Sequence, residues 1–518
     1  MSMEPVVEKK TSGFVRCLRW LALGVVAMVT IVALFYAVEN FRGKLAWDNY
    51  RKSAEQRGLV LDFAPQIPPE VPDDQNAASI PLIEAWFDPR LRPKGDPTLW
   101  PDLFDRATSL MASDRDKSKR HLTDLVAWQQ ALADADLNTK GNKKIVRRNR
   151  TPHEQAVAAT NVLATLQVYD PALAQLREAM KRPHSRYPVD YNVEQPFAIL
   201  LPHLANIKRL CSFLSVHAAA NLAANNSDAA LQDVLVALHL VDSLESEHFL
   251  INYLVQVACL QLAAQAVWEG TVQQRWTDAQ WKQIQERAER LDFLRGMQHA
   301  LDTERAAGIT TIDWVKARQS GRRFQALGEP DALANGGINS LGFFSFAPRG
   351  WWDMEKVSYA RIFEKNLAPI LAGLKTGTFV DVPGELHGDG LHRGPAAVWH
   401  HEVIASLLLP ALDKVHRKAG MAQALADEVV VACALERARL ADGRYPQSLA
   451  ALTPRFLPQP RRDVMTGQPL IYRADANGYV LYSIGWNQQD DGGRPGKTMF
   501  DDKDGDWVWQ VPATAQFE

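Results

Sequence analysis

Cysteine is scarce in this sequence. The 518 residues hold four, at positions 17, 211, 259 and 433, too few and too scattered for a disulfide framework or a four-cysteine zinc site. Excess charge of one sign is missing too: 58 lysines and arginines face 60 aspartates and glutamates, a formal net charge of −2. That balance lacks the basic footprint of a dedicated nucleic-acid binder. Long hydrophobic runs are absent after the first forty residues, which excludes a polytopic transporter. With 47% hydrophobic and 23% charged residues, the chain has the ordinary balance of folded protein rather than of a disordered or collagen-like one. No internal repeat stands out, and the length suits about three domains.

What is present is clearest near the start. From Trp20 to Val38 no residue is charged, and these 19 residues make a helix about 28 Å long, close to the hydrocarbon thickness of a bilayer. A cleaved signal peptide has a shorter apolar stretch and a small-residue cleavage site. Here the run ends Ala37-Val38-Glu39-Asn40-Phe41-Arg42, so an uncleaved transmembrane anchor is expected, with Trp20 and Tyr36 near the two interfaces. Basic residues flank the span almost evenly: Lys9, Lys10, Arg16 and Arg19 before it, Arg42, Lys44, Arg51 and Lys52 after it. The positive-inside rule therefore does not orient it. A short tail before a long body is the arrangement of a signal-anchor, and it places the body in the periplasm of a bacterial inner-membrane protein.

The expected organisation is a tail over 1–19, a transmembrane helix over 20–38, and a proline-rich linker over 39–102. A helical domain over 103–320, a glycine-rich region with one helix over 321–400, and a small module over 401–518 complete it. Leu204, Ile207, Cys211, Leu214, Ala218 and Leu222 recur at helical spacing, and Asn225-Asn226-Ser227-Asp228 breaks that helix and caps the next. The fold class is mainly α, a helical bundle or irregular solenoid, with a small α+β module at the end. In that module Leu470–Arg473 and Tyr479–Tyr482 are predicted strands around Asn477-Gly478, and Asp442-Gly443-Arg444-Tyr445-Pro446 stops the preceding helix.

The succession Ala434-Leu435-Glu436, Asp442-Gly443-Arg444-Tyr445-Pro446, Thr466-Gly467-Gln468-Pro469-Leu470-Ile471-Tyr472, Gly478-Tyr479 and Tyr482-Ser483-Ile484-Gly485 is similar to the globular domain of the major pseudopilin of type II secretion. The likeness covers Ala434 to Glu518. It departs from that family in one respect: everything from Glu39 to His400 stands between the anchor and the module, so a pilus-subunit role is not carried over. Pro68-Pro69-Glu70-Val71-Pro72-Asp73-Asp74-Gln75-Asn76 also resembles a segment of membrane-anchored bacterial proteins of uncharacterised function. The pseudopilin resemblance implies a calcium site in the loop after the last strands, where Asp490, Asp491, Asp501, Asp502, Asp504 and Asp506 lie. The alternation of the last three suits a hard cation, but no glutamate completes an EF-hand loop. A solvated acidic loop is the other reading.

Catalytic motifs stop short. His401-Glu402-Val403-Ile404-Ala405 has alanine where a zinc protease needs its second histidine, and Gly373-Leu374-Lys375-Thr376 lacks the glycine that precedes lysine in a phosphate loop. No Gly-x-Ser-x-Gly elbow occurs. Glu245, Glu247 and His248, and Glu304-Arg305, are acid–base candidates only if a pocket perturbs them; solvated helix faces are the simpler account. No catalytic residue is assigned. The expectation is an envelope scaffold or adaptor with the bilayer and envelope or secretion-type proteins as partners. Its rival is an envelope hydrolase with a site assembled near His400 and His401.

Overall fold

A computed structural model describes residues 13–91, 117–136, 150–318, 347–379, 392, 395–403, 405, 415–475, 478–501 and 503–511. The chain is mainly helical. In order come α1 (Gly13–Gln56), α2 (Pro81–Phe87), α3 (Leu125–Asp136), α4 (Pro152–Leu166), α5 (Asp170–Ala179), α6 (His203–Ala223), α7 (Ser227–Ser243) and α8 (Leu250–Gln273). They are followed by α9 (Asp278–Ala288), α10 (Phe293–Arg318), α11 (Arg349–Thr376), α12 (Pro395–His400) and α13 (Val415–Asp442). Strands β1 (Ile471–Ala474), β2 (Tyr479–Ser483) and β3 (Trp507–Val511) close the series. Two compact units, both discontinuous in sequence, share these elements.

The first unit takes residues 1–61, 308–364 and 389–410. Its α1 does not stop where the apolar run ends. Trp47, Tyr50 and Ala54 continue at helical spacing, and they are buried. Residues 39–56, expected as the start of a linker, are therefore helix. The partner is the first half of α11, which runs parallel to α1: Gly350 lies beside residues 39–43, Lys356 over the Trp47 ring at 4.3 Å, and Glu364 beside Tyr50 and Arg57.

The second unit takes residues 62–307, 365–388 and 411–518. Helices α6, α7 and α8 pack on one another at its centre. The α6 stripe predicted from spacing is buried throughout, and so are Phe213, Val216 and Ala219 on its other sides. Short caps separate the helices. Asn226 accepts the Ala229 amide at the start of α7, and Thr277 with Gln280 forms a reciprocal capping box on α9. The α13 helix leans on β2 and β3 of a small antiparallel sheet in the order β1-β2-β3. Ile471 pairs with Tyr482 and Ser483 with Trp507. The third strand was not expected from sequence. The predicted turn residue Asn477 lies outside the described residues.

Candidate functional site

Each unit concentrates polar side chains in its interior, and these clusters are where chemistry or recognition would have to sit. In the first unit they gather at the point where α1 leaves its apolar run. A Cβ on Gly43 would lie 1.9 Å from the Gly350 carbonyl oxygen, so the two helix backbones touch there and glycine is required on both. The Gly350 amide donates to Asn40 Oδ1 (2.8 Å), and Trp351 Nε1 donates to Glu39 Oε2 (3.0 Å). Arg42 holds the other Glu39 oxygen at 2.6 Å. Below this seat, Lys316 and Lys356 neutralise the buried Asp353 at 2.6 and 3.2 Å, and Lys356 also reaches Asp313.

His400 and His401, the residues around which a hydrolase site was conceivable, do not converge. His400 stacks on His392 at 3.7 Å, and His392 Nδ1 lies 2.8 Å from Glu402 Oε2. His401 adopts a left-handed backbone (φ 57°) and turns its ring edge-on to Trp351 at 5.1 Å. Burial, partly offset by Glu39, holds its imidazole below the ordinary value.

In the second unit α13 carries the polar interior. Asp427 accepts from Gln423 (3.1 Å) and Arg461 (3.2 Å) and borders a cavity of about 460 Å³ lined also by Glu289, Asp292 and Arg462. Burial pushes its carboxyl up to about 6, and Arg461 offsets only part of that. The adjacent Glu428 is completely buried. Its carboxyl is driven well above the ordinary range by burial, against the opposing charge of Arg120, which lies under the Trp509 ring at 4.8 Å. Asp463 fastens its own loop to the end of β2 by accepting from Ser483 Oγ (2.7 Å) and the Ile484 amide (3.3 Å), and it accepts the Met465 amide (2.9 Å) within the loop. A carboxyl near 6 beside a cavity could move a proton. Its two neighbours already use it as a structural acceptor.

Two buried histidine–carboxylate pairs on α6 escaped sequence reasoning. His203 Nε2 lies 2.8 Å from Glu247 Oε2, its ring stacked between Tyr187 (4.6 Å) and Phe87 (5.2 Å). His217 Nδ1 lies 2.7 Å from Asp233, which Arg177 also holds at 3.1 Å. Of the acid–base candidates predicted from sequence, Glu247 thus joins a histidine, whereas Glu245 pairs with Arg295 at 2.9 Å and His248 faces His299. Burial alone raises Glu304 to about 7. Cys211 and Cys259, far apart in sequence, hydrogen-bond to each other as free thiols.

The described carboxylates of the acidic loop accept mostly from the loop's own backbone amides. Asp490 accepts from the Tyr482 hydroxyl (3.0 Å) and the Gly492 amide (2.8 Å), and Asp491 accepts from the Asn487 side chain (2.9 Å). Asp501 accepts from the amides of Lys497, Lys503 and Asp504, and Asp506 from those of Asp491 and Gly493. Asp504 is exposed, and Asp502 lies outside the described residues. Among the described residues no three metal-ligating side chains gather to hold an ion.

No family model matches the chain, and neither a curated protein nor a solved structure matches it. The pseudopilin likeness of Ala434–Glu518 therefore stands on its sequence motifs alone.

Proposed function

We propose that this chain is a single-pass protein of a bacterial inner membrane, anchored by α1, whose exported body works as a scaffold or adaptor through protein contacts. One observation carries the anchoring. No residue in the most apolar stretch of α1 is buried, with Leu21, Ile31 and Leu34 about 60% exposed or more, yet the same helix continues unbroken into the packed core of the first unit. Leaving such a run in water would forfeit roughly 25 cal/mol for each Å² of apolar surface. A bilayer removes that cost.

The scaffold role is supported by the use the buried polar groups are put to. His203 with Glu247, His217 with Asp233, and Asp353 with its two lysines are paired inside the packing, and Asp427, although it borders a cavity, is held by Gln423 and Arg461. The order α13, then an antiparallel β1-β2-β3 meander, also agrees with the module that the pseudopilin likeness implies, so secretion-type envelope proteins are the partner class to seek. The experiment is in-cell crosslinking of the full-length protein followed by identification of what co-purifies from the membrane fraction. Recovery of envelope assembly proteins is expected. A soluble, partner-free protein that turns over an ester, amide or glycosidic substrate would overturn the proposal.

A further inference from the structure

The surface around the exit of α1 carries more apolar area than an anchored, water-facing body needs. Past Val38, Phe41 is 69% exposed and Leu45 48% exposed, on the side of α1 opposite the buried Gly43, Trp47 and Tyr50. Arg42 and Lys44 are exposed beside them. At 1.5 Å per residue, Phe41 lies about 5 Å and Leu45 about 10 Å beyond the end of the apolar run. The polar headgroup layer is roughly 5 to 8 Å deep on each side of the hydrocarbon, so Phe41 falls within it and Leu45 just past its water-side edge.

A second element of the same unit reaches this level. Trp351, at the start of α11, touches Phe35 (6.5 Å between ring centroids), about one turn inside the apolar run. His401 packs on Trp351, and two residues before it stands Trp399, at 77% among the most exposed large side chains of the protein. An indole combines an apolar body with a polar N–H, and tryptophan is accordingly enriched at membrane–water interfaces. Exposed arginine and lysine beside such aromatics add attraction to anionic headgroups.

From this juxtaposition we propose that the first unit makes a second membrane contact. Trp399 and Phe41 seat in the headgroup layer of the bilayer that α1 crosses and Leu45 lies at its water-side edge, with Arg42 and Lys44 facing lipid phosphate. The occupant is lipid, because Phe41 and Leu45 continue α1 from the end of its exposed apolar run, and Trp399 stands two residues from His401, which packs on the Trp351 that touches that run. The unit is then held down on the membrane surface, and the Gly43–Gly350 contact makes the anchor a rigid post instead of a loose tether. This inference rests on the proposal that α1 is an anchor.

The test uses full-length protein in vesicles of phosphatidylcholine and phosphatidylglycerol, with Cys17→Ser so that the remaining native thiols are the buried Cys211, Cys259 and Cys433. A nitroxide is attached at Trp399→Cys, at Leu34→Cys within the span, or at Leu440→Cys as a reference on the second unit. Its collision rates with oxygen and with a water-soluble nickel chelate are then compared. The expected result is a several-fold higher oxygen-to-nickel ratio at 399 than at 440, and a still higher one at 34. A membrane-buried label at 34 with a water-like label at 399 would overturn this inference and leave the anchor standing. A water-like label at 34 would overturn both. Shielding of 399 from both reagents would mean a protein partner there, which also overturns it. Should Trp399→Cys fail to fold, the label goes to the exposed Ala396, one turn earlier on α12, and Trp399 is kept.

Discussion

Helices α1 and α8 are both long and apolar enough to cross a membrane, but one is bare over its apolar run and the other is packed inside the protein. In the most apolar stretch of α1 no residue is buried, whereas in that of α8 most are. Polar groups separate them better than hydropathy does. Between Trp20 and Val38 the one hydroxyl of a non-aromatic residue is Thr30, and it bonds the Val26 carbonyl of its own helix at 2.8 Å. A group satisfied within its helix suits lipid, where no other partner exists. On α8 the polar groups reach outward: Gln265 to the His121 carbonyl (2.9 Å), Trp268 to the Gln510 carbonyl (2.7 Å), and Glu269 to the Thr123 amide (3.1 Å). An apolar helix that needs protein partners for its polar groups is a core helix.

The strongest way to break the comparison is to put one charge into each helix. Val267→Asp buries an unpaired carboxylate in α8 and should unfold the second unit, a cost of several kcal/mol, seen as lost cooperative thermal unfolding. Val29→Asp in α1 should leave the body's melting temperature unchanged and release protein from the membrane fraction. If both variants unfold alike, α1 is a core helix as well. Truncation is milder. Leu260→Ala should cost about 2 to 5 kcal/mol in denaturant unfolding, and Leu34→Ala nothing measurable.

The glycine seat comes next. Gly43→Val drives a side chain into the Gly350 carbonyl and should destabilise the first unit by about 1 to 3 kcal/mol. Hydrogen exchange should rise in residues 349–364 while α6 to α8 stay protected. Equal protection in both variant and native protein would show that α1 and α11 are not tightly joined.

The smallest effects are in pH dependence, to which the apolar run of α1, with no acidic or basic residue, contributes nothing. Burial raises Asp427 from 3.8 to about 6. Between those values the folded protein keeps a proton that the unfolded chain has released, so stability falls as pH rises, by up to about 1.4 kcal/mol per pH unit. His416 acts in the opposite sense. Burial, helped by Arg417, lowers it from 6.5 to about 4, so its contribution to stability rises with pH through that window. The two slopes oppose each other where they overlap. Asp427→Asn should therefore expose a rising slope and His416→Gln a falling one, in denaturant titrations at stepped pH. Parallel curves for the two variants would refute the assignment.

Some of this was legible in the one-dimensional pattern and some was not. The α6 stripe from Leu204 to Leu222, the Asn226 cap and the first two strands follow from spacing and turn residues within a few positions of each other. The continuation of α1 to Gln56 was legible too, in the spacing of Trp47, Tyr50 and Ala54, but the prolines that follow drew residues 39–56 into a supposed linker. β3 was hidden because its residues, Trp507 to Val511, are separated from β2 by a long acidic loop in place of a two-residue turn. The His203–Glu247 pair spans 44 positions, and no local period marks such a partner.

The amino-acid sequence by itself determined the bare apolar run of α1, the helix starts and stops, and the mainly helical character of the chain. Each of these depends on neighbours within one or two turns, and lipid demands nothing more of a spanning segment than that its own helix satisfy its backbone. The tertiary structure alone decided that α8 is interior, that Cys211 meets Cys259, that Gly43 meets Gly350, and that Asp427 titrates near 6. Those outcomes depend on which distant surfaces exclude water from one another. Desolvation is a property of the packed neighbourhood, and no short stretch of chain carries it.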